Sequence, residues 1–527
     1  MLNKNVLPIA VCKVPEVRAA CLCLLVLTML ELLAIVVINQ GQFIFTLDDP
    51  YIHLALSENI LHGHYGVNSQ AVSAPSSSIL WPFLIAPLTA LSFTSYSLLL
   101  FNSFLSLGSL LLAARVLFMV ESESTKTRLS ARMHLALLLL FVLCSNIIGL
   151  AFTGMEHSLQ LLLALLIFVG LLEHVQTDKT PGFLWAAIIL APLVRYECLA
   201  LSGAALLYLF INKRYISSVI AGLVIIAALA AFSLFLLSLG LGYLPDSILA
   251  KSSVAESGLT KLLMNVLRNL SLVTPKGITL LVLMCFFFHC AWFTSVARKK
   301  RCLALCIGLA ILGHLLVGRI GWYFRYEIYI WVVSLGLLFY IWRVPFLPKV
   351  SKAEKRFTHI LIGFCVFIAA LEHLFAYFST PIAASNIYHQ QAQMQRFIHD
   401  YYQKPVAVND LGLATYENDL FVLDLWGLGS SEARILRKKS TSAQWMQQLV
   451  EEKEIGLVMI YHDEIWFPDV PESWIKMAEL SITGIALTAR FPVSFFAPNA
   501  EQAKLIRPLL REFKDSLPSG SQLRLVE

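Results

Sequence analysis

Thr46-Leu47-Asp48-Asp49-Pro50-Tyr51-Ile52-His53 stands in a loop, about residues 40–78, that contains no Lys or Arg. It follows the apolar run Ala19–Ile38, and about 20 apolar residues are what a helix needs to cross the hydrocarbon core. Asp before Pro is a helix start, in which the carboxylate caps free N–H groups and Pro takes the first helical position. Asp49 is placed for that cap, and Tyr51–Leu61 then reads as an amphipathic helix along the membrane surface. Asp48 is left over. It is either a solvated loop acid or a general base that takes a proton from an attacking hydroxyl at the membrane boundary.

Composition supports the spanning reading. The chain has 527 residues, 58% hydrophobic and 14% charged, with mean hydropathy +0.72; soluble domains run at about 45–50% apolar and about 25% charged. The net charge of +6 does not imply nucleic acid, because Lys and Arg cluster in short loops between apolar runs. No CxxC pair occurs, so the cysteines read as small core hydrophobes. Lys4, Lys13 and Arg18 before Ala19–Ile38 resemble a signal peptide, but the run exceeds an h-region of about 7–15 residues, and a retained anchor is expected.

Candidate spans are 19–39, 97–119, 134–152, 157–174, 216–239, 276–297, 302–318, 326–343 and 357–378, and two short pieces, 183–194 and 198–212, flank Arg195-Tyr196-Glu197. Placing the basic segments near 4–18, 126–132, 213–214, 298–301 and 349–356 on the cytoplasmic side gives about eleven passes, with the two short pieces as a hairpin and Ile79–Leu91 at the interface. The predicted architecture is an α-helical polytopic membrane domain over 1–378 and an extracytoplasmic α/β domain over 379–527. In the latter, Gln390–Tyr402 and Ser442–Glu452 read as helices, and Val406–Val408, Leu420–Leu423 and Gly456–Ile460 as buried strands. The N-terminus is expected in the cytoplasm and the protein in the cytoplasmic (inner) membrane.

Four patches then share the outer side: the Asp48-Asp49 loop, Thr153-Gly154-Met155-Glu156, the 240–275 loop, and Gly318-Arg319 through Arg325-Tyr326-Glu327. Arg195 and Glu197 interrupt a span, where ionisable groups are expensive and by default functional, or else pair to lock the hairpin. Lys251, Arg319 and Arg325 are cations on the side that should be poor in them, fit for a phosphate or for lipid head groups. Glu156 is a helix-start charge or an orienting group. The spacing of His53, His62 and His64 does not define a metal site, so neither metal nor cofactor is expected. Trp322, Tyr323, Tyr326 and Tyr329 read as an aromatic belt.

The residues Asp48-Asp49-Pro-Tyr51-Ile52…Asn59…Gly63…Gly66-Val67-Asn68…Ser78-Ile-Leu80-Trp81 resemble the first outer loop of GT-C-fold membrane glycosyltransferases. The nearest branch is that of the mycobacterial arabinofuranosyltransferases, whose loop runs roughly DDAYISFRYARNLAxGxG…N…TSPLW. Thr153-Gly154-Met155-Glu156 is similar to SG(L/M)E, Arg195-Tyr196-Glu197 to RPE, and Leu244-Pro245-Asp246-Ser247-Ile-Leu-Ala250-Lys251 to PNTFYAK. Asp410-Leu-Gly412 and Asp424-Leu-Trp-Gly427-Leu428 are similar to DxG and DLxGL. Ala55 and Glu58 stand where that branch has Arg, and Tyr196 where it has Pro.

The resemblance implies an inverting enzyme that moves a sugar from a polyprenyl-phosphate carrier to a glycan or other envelope acceptor outside the membrane. It implies Asp48 as base with Asp49 as cap and second carboxylate. Arg195, Lys251, Arg319 and Arg325 hold the carrier phosphate, and Glu156, Glu197, His53 and Tyr51 orient the substrates. The competing readings are a lipid or sugar transporter, for which repeated halves would speak, and a non-catalytic envelope-assembly protein on the same fold.

Overall fold

The computed structural model describes residues 13–124, 128–251, 259–270, 275–292, 297–344, 352–489 and 491–526. Among the described residues, seven helices are long and apolar enough to cross a membrane: Pro15–Ile38, Thr94–Glu123, His157–Thr177, Tyr215–Ser238, Pro275–Trp292, Arg298–Val317 and the helical run Arg356–Tyr402. Four shorter apolar helices accompany them: Ala131–Cys144, Gly182–Val194, Tyr196–Ile211 and Ile328–Arg343. His157–Thr177 is central, whereas Pro15–Ile38 and Tyr215–Ser238 are peripheral and show Leu22, Met29, Leu33, Ile216, Leu223 and Ile226 to the outside. Long apolar helices that turn their apolar side chains outward fit a lipid surround. The chain is a multi-pass membrane protein.

The stretch expected at the interface is the helix Trp81–Thr89. Its nine residues reach only about 14 Å at 1.5 Å per residue, too short to cross. The N–H groups of Ile79 and Leu80 just before it both bond the Leu193 carbonyl at 3.1 Å, which docks it on the end of Gly182–Val194.

The bundle leads into the C-terminal region without a break, through one helix, Lys352–His389, followed by Gln391–Arg396 and a π-helical turn, Phe397–Tyr402. A six-stranded sheet follows, with strands β1 Val406–Val408, β2 Val422–Asp424, β3 Leu457–Tyr461, β4 Ile475–Ile482, β5 Val493–Ala497 and β6 Ser521–Leu525. Their order is β2-β1-β3-β5-β4-β6; β2, β1 and β3 are parallel and the remaining pairings are antiparallel. The sequence anticipates β1 to β3. It does not anticipate β4, β5, the helix Ala500–Asp515 or β6.

Three contacts clamp the loop 40–78 against the sheet. The Asn68 side chain pairs with the backbone of edge strand β2, donating to the Val422 carbonyl at 3.0 Å and accepting its N–H at 2.8 Å. Asp246 accepts from Ser431 Oγ at 2.7 Å and Arg434 Nε at 2.9 Å, while its own N–H bonds the Ala74 carbonyl. Asp48 makes the third.

Candidate functional site

The helix at the Asp-Pro start runs Asp49–Leu61, with Asp48 rather than Asp49 at its N-cap position, and the Asp48 carboxylate does not cap it. Asp48 Oδ2 accepts the N–H of Gly412 at 2.7 Å and Oδ1 that of Leu413 at 2.9 Å. It thus caps another helix, Gly412–Thr415, from across the fold. Gly412 is required there, because a Cβ would lie 2.1 Å from the Asp48 carbonyl oxygen. Burial pushes Asp48 up to about 8, and the neighbouring Asp410 carboxylate adds to this against the pull of the two N–H bonds. Asp410 is itself bonded by Tyr461 Oη at 2.6 Å and Gln391 Nε2 at 2.9 Å.

Asp49 turns the other way. Its Oδ2 pairs with Arg325 Nη2 at 2.5 Å, and its side chain is 23% exposed. The Arg325 guanidinium lies 5.1 Å from the Tyr326 ring centre, and Arg195 lies 5.6 Å from the same ring. Arg195 bonds Glu156 at 2.7 Å, Glu197 at 2.6 and 3.1 Å, and Ser77 Oγ at 2.9 Å. The second oxygen of Glu156 faces His53 Nε2 at 3.6 Å, and His53 Nδ1 meets Ser76 Oγ at 3.2 Å. Gly154 permits this approach: it has φ +65°, and a Cβ there would lie 2.7 Å from Pro50 Cβ. Four segments far apart in sequence therefore form one buried charged network.

Its polar atoms are not all satisfied. Among the described residues, Arg325 Nε and Nη1, Glu156 Oε2 and both ring nitrogens of His157 are buried without a hydrogen-bond partner. Buried polar groups are ordinarily paired. Arg325 Nε and Nη1 are thus buried donors that no acceptor among the described residues uses.

The remaining expected residues are placed as follows. Tyr51 is buried, accepts the Phe45 N–H at 3.1 Å and packs on Tyr416, a supporting position. Arg319 is half-buried near Arg268 and has no acidic partner among the described residues. Lys251 ends the helix Asp246–Lys251, and its side chain lies outside the described residues. His62 and His64 face separate carbonyls, of Glu58 and Ala71, and do not converge on His53. The aromatic-belt expectation fails for two residues: Tyr326 stacks between the arginines, and Tyr329 is fully buried and donates to the Glu197 carbonyl at 2.8 Å. Asp424 closes a turn, accepting from the N–H groups of Trp426, Leu428 and Gly429, and burial pushes it up to about 6.

Residues 385–496 match a family described as a domain of unknown function (DUF8728). No curated protein matches the chain. Among solved structures, the chain is similar over 91% of its length to 74% of the archaeal oligosaccharyltransferase AglB from Archaeoglobus fulgidus in complex with an inhibitory peptide and a dolichol-phosphate, at 11% identity and a TM-score of 0.38. A second Archaeoglobus fulgidus oligosaccharyltransferase structure, with Zn and sulfate, is similar at 11% identity and TM-score 0.41, over 95% of this chain and 75% of that one. A mutant of arabinofuranosyltransferase AftD from Mycobacteria is similar at 14% identity and TM-score 0.41; 90% of this chain spans 41% of that one. At scores of this size, none of the three assigns a role to any residue.

Sequence reading named Glu327 only as the end of an outer patch and missed Lys276, Glu372 and His373, which with it form a second buried polar cluster beside the network. The available signal was an ionisable residue at the end of each of two apolar spans.

Proposed function

We propose that this chain is an inverting GT-C-type glycosyltransferase that moves a sugar from a polyprenyl-phosphate carrier to an envelope acceptor on the outer face of the cytoplasmic membrane. The observation that carries the reading is the convergence of Asp49, Glu156, Arg195 and Arg325 in one network. These are residues that the resemblance marks, and no local pattern required them to meet. The four short apolar helices complete the eleven passes, which puts residues 379–527 on the outer side as a domain over the site.

The geometry favours Asp49 as the base, in place of Asp48, whose two oxygens are already committed to backbone N–H groups. Asp49 accepts the proton of the acceptor hydroxyl. The freed oxygen attacks the anomeric carbon from the face opposite the phosphate. The bond from that carbon to the phosphate oxygen breaks, and the carrier phosphate leaves with the electron pair. Arg325 holds Asp49 through Nη2, and a single further donor, Nε or Nη1, serves that phosphate, so one guanidinium links base and leaving group. Arg195, bound by two carboxylates, is a frame for Glu156 and Tyr326, and Arg319 and Lys251 remain candidates for outer phosphate contacts.

The test offers purified protein a set of polyprenyl-phosphate sugars and reads products by mass spectrometry. Asp49→Asn should lower the rate about 10²–10⁴-fold. If no donor is consumed, or if a normally inserted Asp49→Asn protein keeps the full rate, the proposal is wrong.

A further inference from the structure

The segment that delivers Arg325 is bent in an unusual way. Gly321, Trp322, Tyr323 and Phe324 all have positive φ, at +92°, +46°, +64° and +56°. Left-handed backbone crowds the Cβ of an L-residue against its own carbonyl, and three successive bulky aromatics do not hold such a turn by themselves. Contacts from outside the turn must impose it.

Those contacts come from three directions. Glu327 Oε2 accepts the Gly321 N–H at 2.9 Å, while its Oε1 is held by Lys276 Nζ at 2.9 Å. Lys276 is 1% exposed, and it also meets Glu372 Oε2 at 2.9 Å and His373 Nε2 at 2.8 Å. The Lys276 ammonium lies 4.9 Å from the Phe324 ring centre and 5.8 Å from that of Trp331. On the far side, Asn146 Nδ2 donates to the Tyr323 carbonyl at 3.2 Å, and the Tyr323 hydroxyl meets Thr380 Oγ1 at 3.3 Å. The start of the segment is pinned as well: Asn265 and Asn269 both donate to the Gly318 carbonyl, at 3.1 and 3.0 Å.

We infer that Lys276 is a positioning residue for Arg325: through Glu327 and Phe324 it clamps the left-handed turn Gly321–Phe324, and the turn sets Arg325 against Asp49. Burying an ammonium with two carboxylates is a costly way to close an apolar bundle, and apolar residues would serve packing alone at least as well. What the cluster supplies that apolar packing cannot is a fixed acceptor for the Gly321 N–H and a cation against the Phe324 face. Without them the turn relaxes to right-handed backbone and Arg325 leaves Asp49. The phosphate-binding consequence rests on the proposed function; the clamp itself does not.

The test uses the full chain in nanodiscs and two variants that loosen the turn from opposite sides, Lys276→Met and Asn146→Ala. Hydrogen exchange reads the clamp without any ligand. Amides of residues 320–326 should lose protection at least about 10-fold in each variant, as expected for removing one charge-assisted or buried hydrogen bond, while peptides of β1 to β3 keep theirs. Binding of a polyprenyl phosphate reads the consequence. Lys276→Met should weaken it by about the same factor as Arg325→Ala, and the double variant Lys276→Met/Arg325→Ala should be no weaker than either. Unchanged exchange over 320–326 in a folded variant overturns the clamp. A double variant that loses the product of the two single factors overturns the route through Arg325. If the unmodified chain binds no polyprenyl phosphate, the proposed function fails and the exchange result still decides the clamp. If Lys276→Met does not fold, Glu327→Gln, which weakens the Lys276 hold while leaving an acceptor for the Gly321 N–H, decides both readouts in the same way.

Discussion

Removing the Asp48 side chain should loosen the first loop from the C-terminal sheet. In Asp48→Ala, the N–H groups of Gly412 and Leu413 lose acceptors at 2.7 and 2.9 Å. An unsatisfied buried donor costs about 1–3 kcal/mol, and loss of a helix cap about 0.5–2 kcal/mol. Asp48 is half-buried, so water can reach part of the vacated space and the low end applies. The expected loss is about 1 kcal/mol for each of the two N–H groups, about 2 kcal/mol together, or roughly 30-fold in the ratio of open to docked forms. Hydrogen exchange in a peptide covering 410–416 measures that ratio directly, and Asp49→Asn serves as the control that leaves the Asp48 cap in place. If Asp48→Ala leaves this exchange unchanged and yet abolishes transfer, Asp48 is the base after all and the division of labour between the two aspartates is refuted.

Other perturbations of the same clamp follow from the geometry. Gly412→Ala puts a Cβ 2.1 Å from the Asp48 carbonyl oxygen, so it should undock the loop at least as strongly as Asp48→Ala in the same exchange assay. Asn68→Ala removes both hydrogen bonds to edge strand β2 and should cost about 2 kcal/mol in thermal unfolding, with Asn68→Asp recovering only the bond from the Val422 N–H. The docked loop should also weaken as pH rises. Asp48 is raised to about 8, and Glu58 is raised by burial and by Glu417, so the docked form binds more protons than the open one. Its stability is then greatest below the ordinary carboxylate range and falls as pH climbs through about 8. Exchange over 410–416 recorded from pH 5 to pH 8.5 checks the sign, after correction for the intrinsic pH dependence of exchange; Asp48→Asn should flatten the curve.

Much of this molecule is legible where local chemistry decides. The apolar runs, the Asp-Pro helix start, the short hairpin around Arg195 and the strands Val406–Val408 and Leu457–Tyr461 follow from span length, proline geometry and burial. The missed half of the sheet has a physical reason. β4 lies between β5 and β6 with a bulge at Lys476/Ala478, so its burial does not alternate, and the helix Ala500–Asp515 carries Pro508 inside it, where proline normally reads as a stop. The partner of Asp48 lies 364 residues away, and nothing near Thr46–His53 announces it. Lys276 stands one residue into its helix, where a span-end lysine reads as an interface charge rather than a buried one.

The two adjacent carboxylates at this helix start serve different partners. Successive residues of a helix project about 100° apart, and here the consequence is a division between neighbours. Asp48 faces the sheet and caps Gly412–Thr415, while Asp49 faces the bundle and pairs with Arg325. The pair Asp48-Asp49 thus joins the C-terminal region to the charged network, and the acid that looked spare in the sequence is held by two backbone N–H groups.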